Sequence, residues 1–485
     1  MRQAPLAQGS RYRISVLCST AWGIRNFVLS GVLDELRRDC EVQLLSATTA
    51  NNALAEPCDA GASLPLLQAT APRHDPLGAI TDAAFMHRAH LQSSRLFAQF
   101  SAREQPVSRW LRQSVLAGAG AIVARSPMFE WTSALERRRA LRRPGMDEIR
   151  RQLRSLAPDL VISTACVVPD EAAYVRVANE LGLPTLGSIL SFDNLTSRGR
   201  LPAFQHYAVW SRRMRDEVLR LYPQCRADQV HVTGTPQFDL HRRPELHWSR
   251  PQTLAHLGLA PNTRYLLYAA NCAAFTPTEP LLVQEFVRRL AAVPTLRQHA
   301  VVVRLHPADD PARWRGLGAD APLVLSHPRD DNGRFGTPHA QLKLVSSVAH
   351  ADVCINMAST VSLDAAVLDR PVACVGFALP PGSPEDAFAA ACHATAHYRP
   401  VVESGGVRLA RSVEDLLSIC ALYVVEPALD AAARRSLVAD VCGPVDGLAG
   451  ARVGSLIREL VAAQRAATIP SPARQQRGKQ LQEAV

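Results

Sequence analysis

One feature constrains this chain more than any other. A short apolar run, a turn of small or polar residues and a helix-period stretch follow one another repeatedly, and the series runs twice. Alternation of this kind builds parallel sheets covered by helices. In the first series, residues 13–18 (RISVLC), 41–46, 159–164 (DLVIST), 185–190, 206–210 and 230–233 read as strands. Residues 23–38 read as a helix, with Ile24, Phe27, Val28, Val32 and Leu36 on one face. Residues 169–181 read as another, and Ser211 is placed to cap a third that runs to residue 221. The second series opens at 264–269 (RYLLYA). It continues through a helix over 279–292, strands at 300–305 and 323–326, and a helix over 341–349. The segment 351–377 (ADVCINMASTVSLDAAVLDRPVACVGF) then supplies a strand, a helix over 360–368 and a further strand. Helices over 413–424 and 449–465 complete the pattern.

A length of 485 residues exceeds what one hydrophobic core organises, so two domains are expected. The first is placed over 1–239 and the second over 250–445. The polar, proline-containing passage 234–250 serves as the crossing. Residues 51–80 read as loops, and 81–155 as an arginine-rich helical insertion into the first domain. That insertion carries Trp110, Trp131 and the run RRRALRR at 137–143. A helix over 446–465 and a disordered tail over 466–485 end the chain.

Composition removes several function classes. The chain has only two lysines, Lys343 and Lys479, and neither sits in a phosphate-loop context. Kinase-like ATPases and Schiff-base enzymes drop out on that ground. The 11 cysteines include no C-x-x-C pair, and Cys354 and Cys374 fall inside strand-like runs. They read as reduced core thiols, not as a zinc site or a disulfide framework. The longest apolar stretch, 115–124, is too short to span a bilayer, and the first residues lack the apolar segment of a secretory signal. A cytoplasmic location is expected. The formal charge of +10 is almost all arginine. It reads either as codon bias or as attraction to anionic donors, glycans or acidic lipid surfaces; no nucleic-acid partner is expected.

Three segments carry candidate chemistry. In 351–377 a buried strand ends in a small-residue loop and a helix begins at Ser359 and Thr360. This geometry favours a diphosphate, with Asp364 one turn on for ribose hydroxyls. An ordinary strand–helix–strand unit with Ser359 as cap explains the spacing equally well. In 301–307 (VVVRLHP), Arg304 and His306 stand at a strand's carboxyl end, where a bidentate fork and a ring N–H face the ligand crevice of an open parallel sheet. In 232–239 (VTGTPQFD), a tight turn at the crossing puts Thr233, Thr235 and Asp239 beside the cleft, or forms a plain hinge.

In that order and near those distances, TG-x-P-x-x-D, R-x-HP and AD-x-x-I-x-x-x-S-T-x-x-x-D-A…D-R-P resemble the C-terminal half of GT-B glycosyltransferases. They are most similar to bacterial capsule and cell-wall enzymes, a group that includes CDP-glycerol glycerophosphotransferases. They also resemble the related non-hydrolysing UDP-N-acetylglucosamine 2-epimerases. The resemblance covers about residues 230–380. It implies an α/β GT-B fold, two Rossmann-like domains with parallel sheets facing a central cleft. It further implies that His306, Ser359, Thr360 and Asp364 line the nucleotide site. The chain departs from the glycerophosphotransferase pattern at Asn356, Met357 and Ala358, where an aromatic or acidic pair is usual.

In such a fold the first half receives the acceptor and supplies any base. The polar loop 191–199 (SFDNLTSRG) offers Asp193 as base and Asn194, Thr196 and Ser197 as acceptor contacts, with an Asx turn as the plain alternative. The loop 19–26 (STAWGIRN) offers Arg25 to steady a phosphate. His206 and His87 are weaker candidates. No D-x-D motif occurs, so neither a metal nor a further cofactor is expected. The expected function is metal-independent transfer of a sugar from a nucleotide-sugar donor to a surface-glycan or lipid-linked acceptor. Arginine-rich helices would make peripheral contact with the inner membrane. The alternatives are a glycerophosphotransferase, a sugar-nucleotide 2-epimerase and a non-catalytic sugar-nucleotide-binding protein.

Overall fold

The computed structural model describes residues 11–47, 64–68, 75–91, 107–125, 127–197, 199–315, 317, 323–329, 333 and 336–468, with main chain alone for 107–110 and 467–468. The loops expected over 51–80 and the tail expected over 466–485 fall largely outside these residues.

Two parallel sheets organise the chain. The first contains β1 (Tyr12–Cys18), β2 (Cys40–Ser46), β3 (Leu64–Pro65), β4 (Leu160–Ser163), β5 (Thr185–Ser188), β6 (His206–Val209) and β7 (Val230–Val232), in the order β3-β2-β1-β4-β5-β6-β7. The second contains β8 (Arg264–Ala269), β9 (His299–Arg304), β10 (Leu323–Ser326), β11 (Val353–Asn356), β12 (Val372–Val375) and β13 (Arg408–Ala410), in the order β10-β9-β8-β11-β12-β13. Helices bury both faces, which is why β4, β11 and β12 are fully buried and apolar in sequence. In each sheet the strand order reverses beside the first strand, at β1/β4 and at β8/β11. Crevices open at the carboxyl ends of the strands at such points. The architecture is the expected one, two Rossmann-like halves of GT-B type.

The helix read over 23–38 is broken. A short helix, Ala21–Ile24, runs into a π-turn, Arg25–Leu29; Gly31 then takes a left-handed φ of 84°, and a new helix spans Val32–Arg37. Ser30 explains the break, since its hydroxyl donates to the Asn26 carbonyl and its N–H reaches back to Arg25. The insertion is helical, with helices Pro76–Arg88, Val107–Val123, Met128–Ala140 and Met146–Leu156.

The last helix, Ala449–Thr468, packs on the first half and not on the second. Val453, Leu456, Ile457 and Val461 join Ile14, Val16, Leu33, Leu36 and Leu160 in one apolar cluster. Asp239 fixes its start, accepting from the Ala449 N–H (3.1 Å) and the Gly450 N–H (2.7 Å). Arg458 ties its middle to Glu35 and Asp39. The return path turns at Gly443, where an added Cβ would lie 2.0 Å from the Trp210 carbonyl oxygen. Among the described residues no helix is long and apolar enough to cross a membrane.

Candidate functional site

The β1 strand ends at Cys18, and Glu171 fixes the turn that follows. Its buried carboxylate accepts from the Ser19 N–H (2.9 Å), the Ser19 hydroxyl (2.5 Å), the Ser163 hydroxyl (2.7 Å) and the Ala165 N–H (2.8 Å). Burial raises its pKa, and these bonds partly offset the rise. The clamp holds the β1 and β4 ends together and sets the helix start that carries Arg25. Arg25, half-buried, donates to the Gln237 side chain at the crossing between halves.

From Gln237 the polar contacts continue into the second half. The Gln237 carbonyl lies 3.3 Å from His241 Nδ1, and His241 Nε2 lies 3.0 Å from Asp364 Oδ1. Both side chains are buried, yet the alignment leaves His241 Nε2 and Asp364 Oδ1 without a hydrogen bond. Arg304, at the carboxyl end of β9, is also buried, and its Nη1 has no protein partner. Burial lowers the Arg304 pKa to about 10, with the Asp364 charge opposing the fall. Arg25 is lowered by the same cause and opposed by the same carboxylate. The Asp364 charge thus acts on guanidinium groups of both halves and itself faces His241. Thr235 Oγ1 and Asn356 Nδ2, also buried, have no hydrogen-bond partner either. Buried polar groups are normally paired, so unpartnered ones at strand ends and at the crossing are able to receive a polar ligand.

The strand–helix turn differs in detail from its sequence reading. The helix is Val361–Val367; Thr360 precedes it, exposed, with no capping bond from its side chain. The Ser359 hydroxyl accepts from the Val361 N–H at 3.3 Å. Asn356 does the main work of shaping the loop: its Oδ1 accepts from the Ser359 N–H (3.0 Å) and the Ser362 hydroxyl (2.9 Å). Ala358 is held there at a φ of 47°, in the left-handed region. Ser362 meets the Tyr398 hydroxyl at 2.7 Å. Nearby, His306 Nδ1 accepts from the Ala308 N–H at 3.1 Å. That bond assigns the proton of the neutral ring to Nε2, and burial lowers the pKa, so the ring presents an N–H donor at neutral pH.

The loop after β5 lies at the seam between the halves. Phe192 packs against His397 and Tyr398 of the second half, with ring centroids 5.4 and 6.2 Å apart. Asp193 accepts from the Ser197 hydroxyl at 2.8 Å and from the Asn194 amide at 3.3 Å. Asn194 and Thr196 are buried, bonding the Ser191 N–H and the Asp193 carbonyl respectively. These contacts give the turn of a short helix, Asn194–Ser197.

Three other residues stand away from the cluster or serve elsewhere. The Thr233 hydroxyl donates to the Gly234 carbonyl, Asp239 caps the last helix, and His206 pairs with His231 at the amino end of β6. A wide cavity of about 1050 Å³ lies beyond, between the insertion and the segments leading into β6 and β7. Its buried acid, Glu136, is already neutralised by Arg176 and Arg200, each at 2.9 Å.

Gln237, His241, Asn356 and Glu171 escape a reading of the sequence. Only the i, i+4 spacing of Gln237 and His241 within the polar crossing hints that those two share a face.

Two Rossmann-like halves with a polar cluster between them define the GT-B class of fold. Among solved structures, a UDP-GlcNAc 2-epimerase from Neisseria meningitidis bound to UDP-GlcNAc matches with a TM-score of 0.53 at 13% identity, covering 92% of this chain and 100% of that one. The UDP-GlcNAc 2-epimerase from Methanocaldococcus jannaschii gives 0.53 at 12%, covering 92% and 99%. S. aureus MnaA, solved with UDP, gives 0.52 at 10%, covering 92% and 96%. No protein-family model and no curated protein sequence matches the chain.

Proposed function

We propose that the chain is a glycosyltransferase that takes a nucleotide-diphosphate sugar between its two halves and moves the sugar to an acceptor. One observation carries the reading: Arg304 Nη1 and Asp364 Oδ1 are buried in the second half without a hydrogen bond, while Arg25 of the first half sits on Gln237 at the crossing beside them. A diphosphate supplies the missing negative charge, and planar guanidinium groups suit its oxygens. His306 offers a further N–H, and Ser359 and Thr360 stand at the neighbouring turn. The acceptor enters at the seam near Phe192, where Asp193 takes the hydroxyl proton. Nucleotide-bound epimerases of the same fold support the choice of donor class.

Isothermal titration with UDP, CDP, GDP and dTDP tests the donor site. One of them is expected to bind, with Arg304→Ala weakening it by about 10–100-fold, as for a lost charged hydrogen bond. Absence of binding by all four would end the proposal. Product analysis with UDP-GlcNAc and no acceptor separates the chemistries: accumulation of a 2-epimer would replace transfer by epimerisation.

A further inference from the structure

The apolar stretch 115–124 has no place in the cleft, and its position in the fold is unusual. It forms the second half of the helix Val107–Val123, which packs inward on the helix Pro76–Arg88. Gly120 makes that contact, since a Cβ on it would meet the Ala83 Cβ at 2.5 Å. The outward face is therefore defined, and it too is apolar: Val115 is 68% exposed, Ile122 is 58% exposed, and Leu111 lies on the same stripe. The next helix, Met128–Ala140, adds exposed Met128 and Trp131, the latter 67% exposed. An exposed apolar stripe on a helix whose opposite side is already packed belongs against another apolar phase, not in water.

The charges around this face indicate which phase. Arg112 on the first helix, Arg125 in the connection, Arg137, Arg138 and Arg139 on the second helix and Arg142 after it are all exposed. The acids of the pair are Glu130 and Glu136, and Glu136 is buried between Arg176 and Arg200. Exposed apolar side chains and a tryptophan, with exposed arginines on the same helix pair, match an anionic bilayer surface. Apolar side chains and Trp enter the headgroup boundary while arginines meet lipid phosphates. A second copy of the chain would bring the same positive charges against itself.

We infer that the helix pair Val107–Val123 and Met128–Ala140 is an interfacial docking surface that seats the first half on an anionic membrane without spanning it. Sedimentation of the full-length protein with phosphatidylcholine vesicles, with and without phosphatidylglycerol, tests this. The protein is expected to sediment with the phosphatidylglycerol vesicles alone and to be released by salt. Val115→Glu combined with Ile122→Glu is expected to weaken binding at least about tenfold, as is Arg137→Ala combined with Arg138→Ala and Arg139→Ala. All these positions are exposed, so the circular dichroism spectrum and melting temperature should not change. Trp131→Ser provides a milder variant if the double substitution disturbs folding. The inference is overturned if phosphatidylglycerol vesicles fail to retain the wild type, or if the variants bind as well as it does. It is equally overturned if sedimentation velocity shows a dimer that the Val115→Glu/Ile122→Glu variant disperses, because the face then serves a second copy.

Discussion

Glu279 is the residue whose environment most clearly sets a pH dependence. Its carboxylate is fully buried at the start of the helix Glu279–Leu290, bonded to the Asn271 N–H (2.9 Å) and the Tyr268 hydroxyl (3.0 Å), with Arg313 at 3.3 Å. Burial outweighs these contacts and raises its pKa from the ordinary 4.5 to about 7. The folded state therefore holds this proton more tightly than the unfolded state. The resulting stability is full below about pH 4.5 and is lost as pH rises toward about 7. The span corresponds to a loss on the order of 3 kcal/mol. Glu279→Gln is expected to flatten the fall in melting temperature across that window, measured by calorimetry at successive pH values; parallel curves for the two proteins would refute the assignment. At this scale the sequence is only partly legible. Arg304 and Asp364 stand out in it as strand-end and helix residues. His241 does not, because its meeting with Asp364 depends on how the two halves face each other, which no local pattern encodes.

Elements were far more legible than contacts. β8 and β10 match their sequence spans, and most other strands agree to within one or two residues, because both faces of a covered parallel sheet are buried and leave continuous apolar runs. Strand β13 and the helices Pro384–Cys392 and Arg399–Glu403 carry too little periodicity to be seen. The π-turn at Arg25 is hidden for another reason: the helical stripe of Ile24, Phe27 and Val28 continues across it, while the break comes from Ser30 and Gly31. Gly443 shows the same point at a junction. It has a φ of 77° directly against the Trp210 carbonyl, so an alanine there meets both a forbidden conformation and a backbone atom. Gly443→Ala is expected to cost more than about 2 kcal/mol in urea denaturation. A change under about 0.5 kcal/mol would mean that the last segment does not seat against β6 as described.

Across the whole molecule, the two-sheet plan follows from the repeated alternation, whereas the closeness of the halves does not. Gly336 of the second half approaches Ala21 of the first so nearly that an added Cβ would stand 3.0 Å from the Ala21 Cβ. A bulkier residue there wedges the seam beside Arg25. Gly336→Val is expected to enlarge the radius of gyration in solution scattering and to weaken nucleotide binding together, with secondary-structure content preserved. Wild-type dimensions with wild-type affinity would show that this contact does not govern closure.

The return of the helix Ala449–Thr468 to the first half also bears on how the chain is made. Ile14, Val16 and Leu160 leave the ribosome long before Val453, Ile457 and Val461, yet they share one cluster. Throughout synthesis of the second half, the first half has an uncovered greasy flank that only this later-made helix can close. Nascent chains stalled before that element should be held by chaperones, and release should follow within the time that one helix needs to dock.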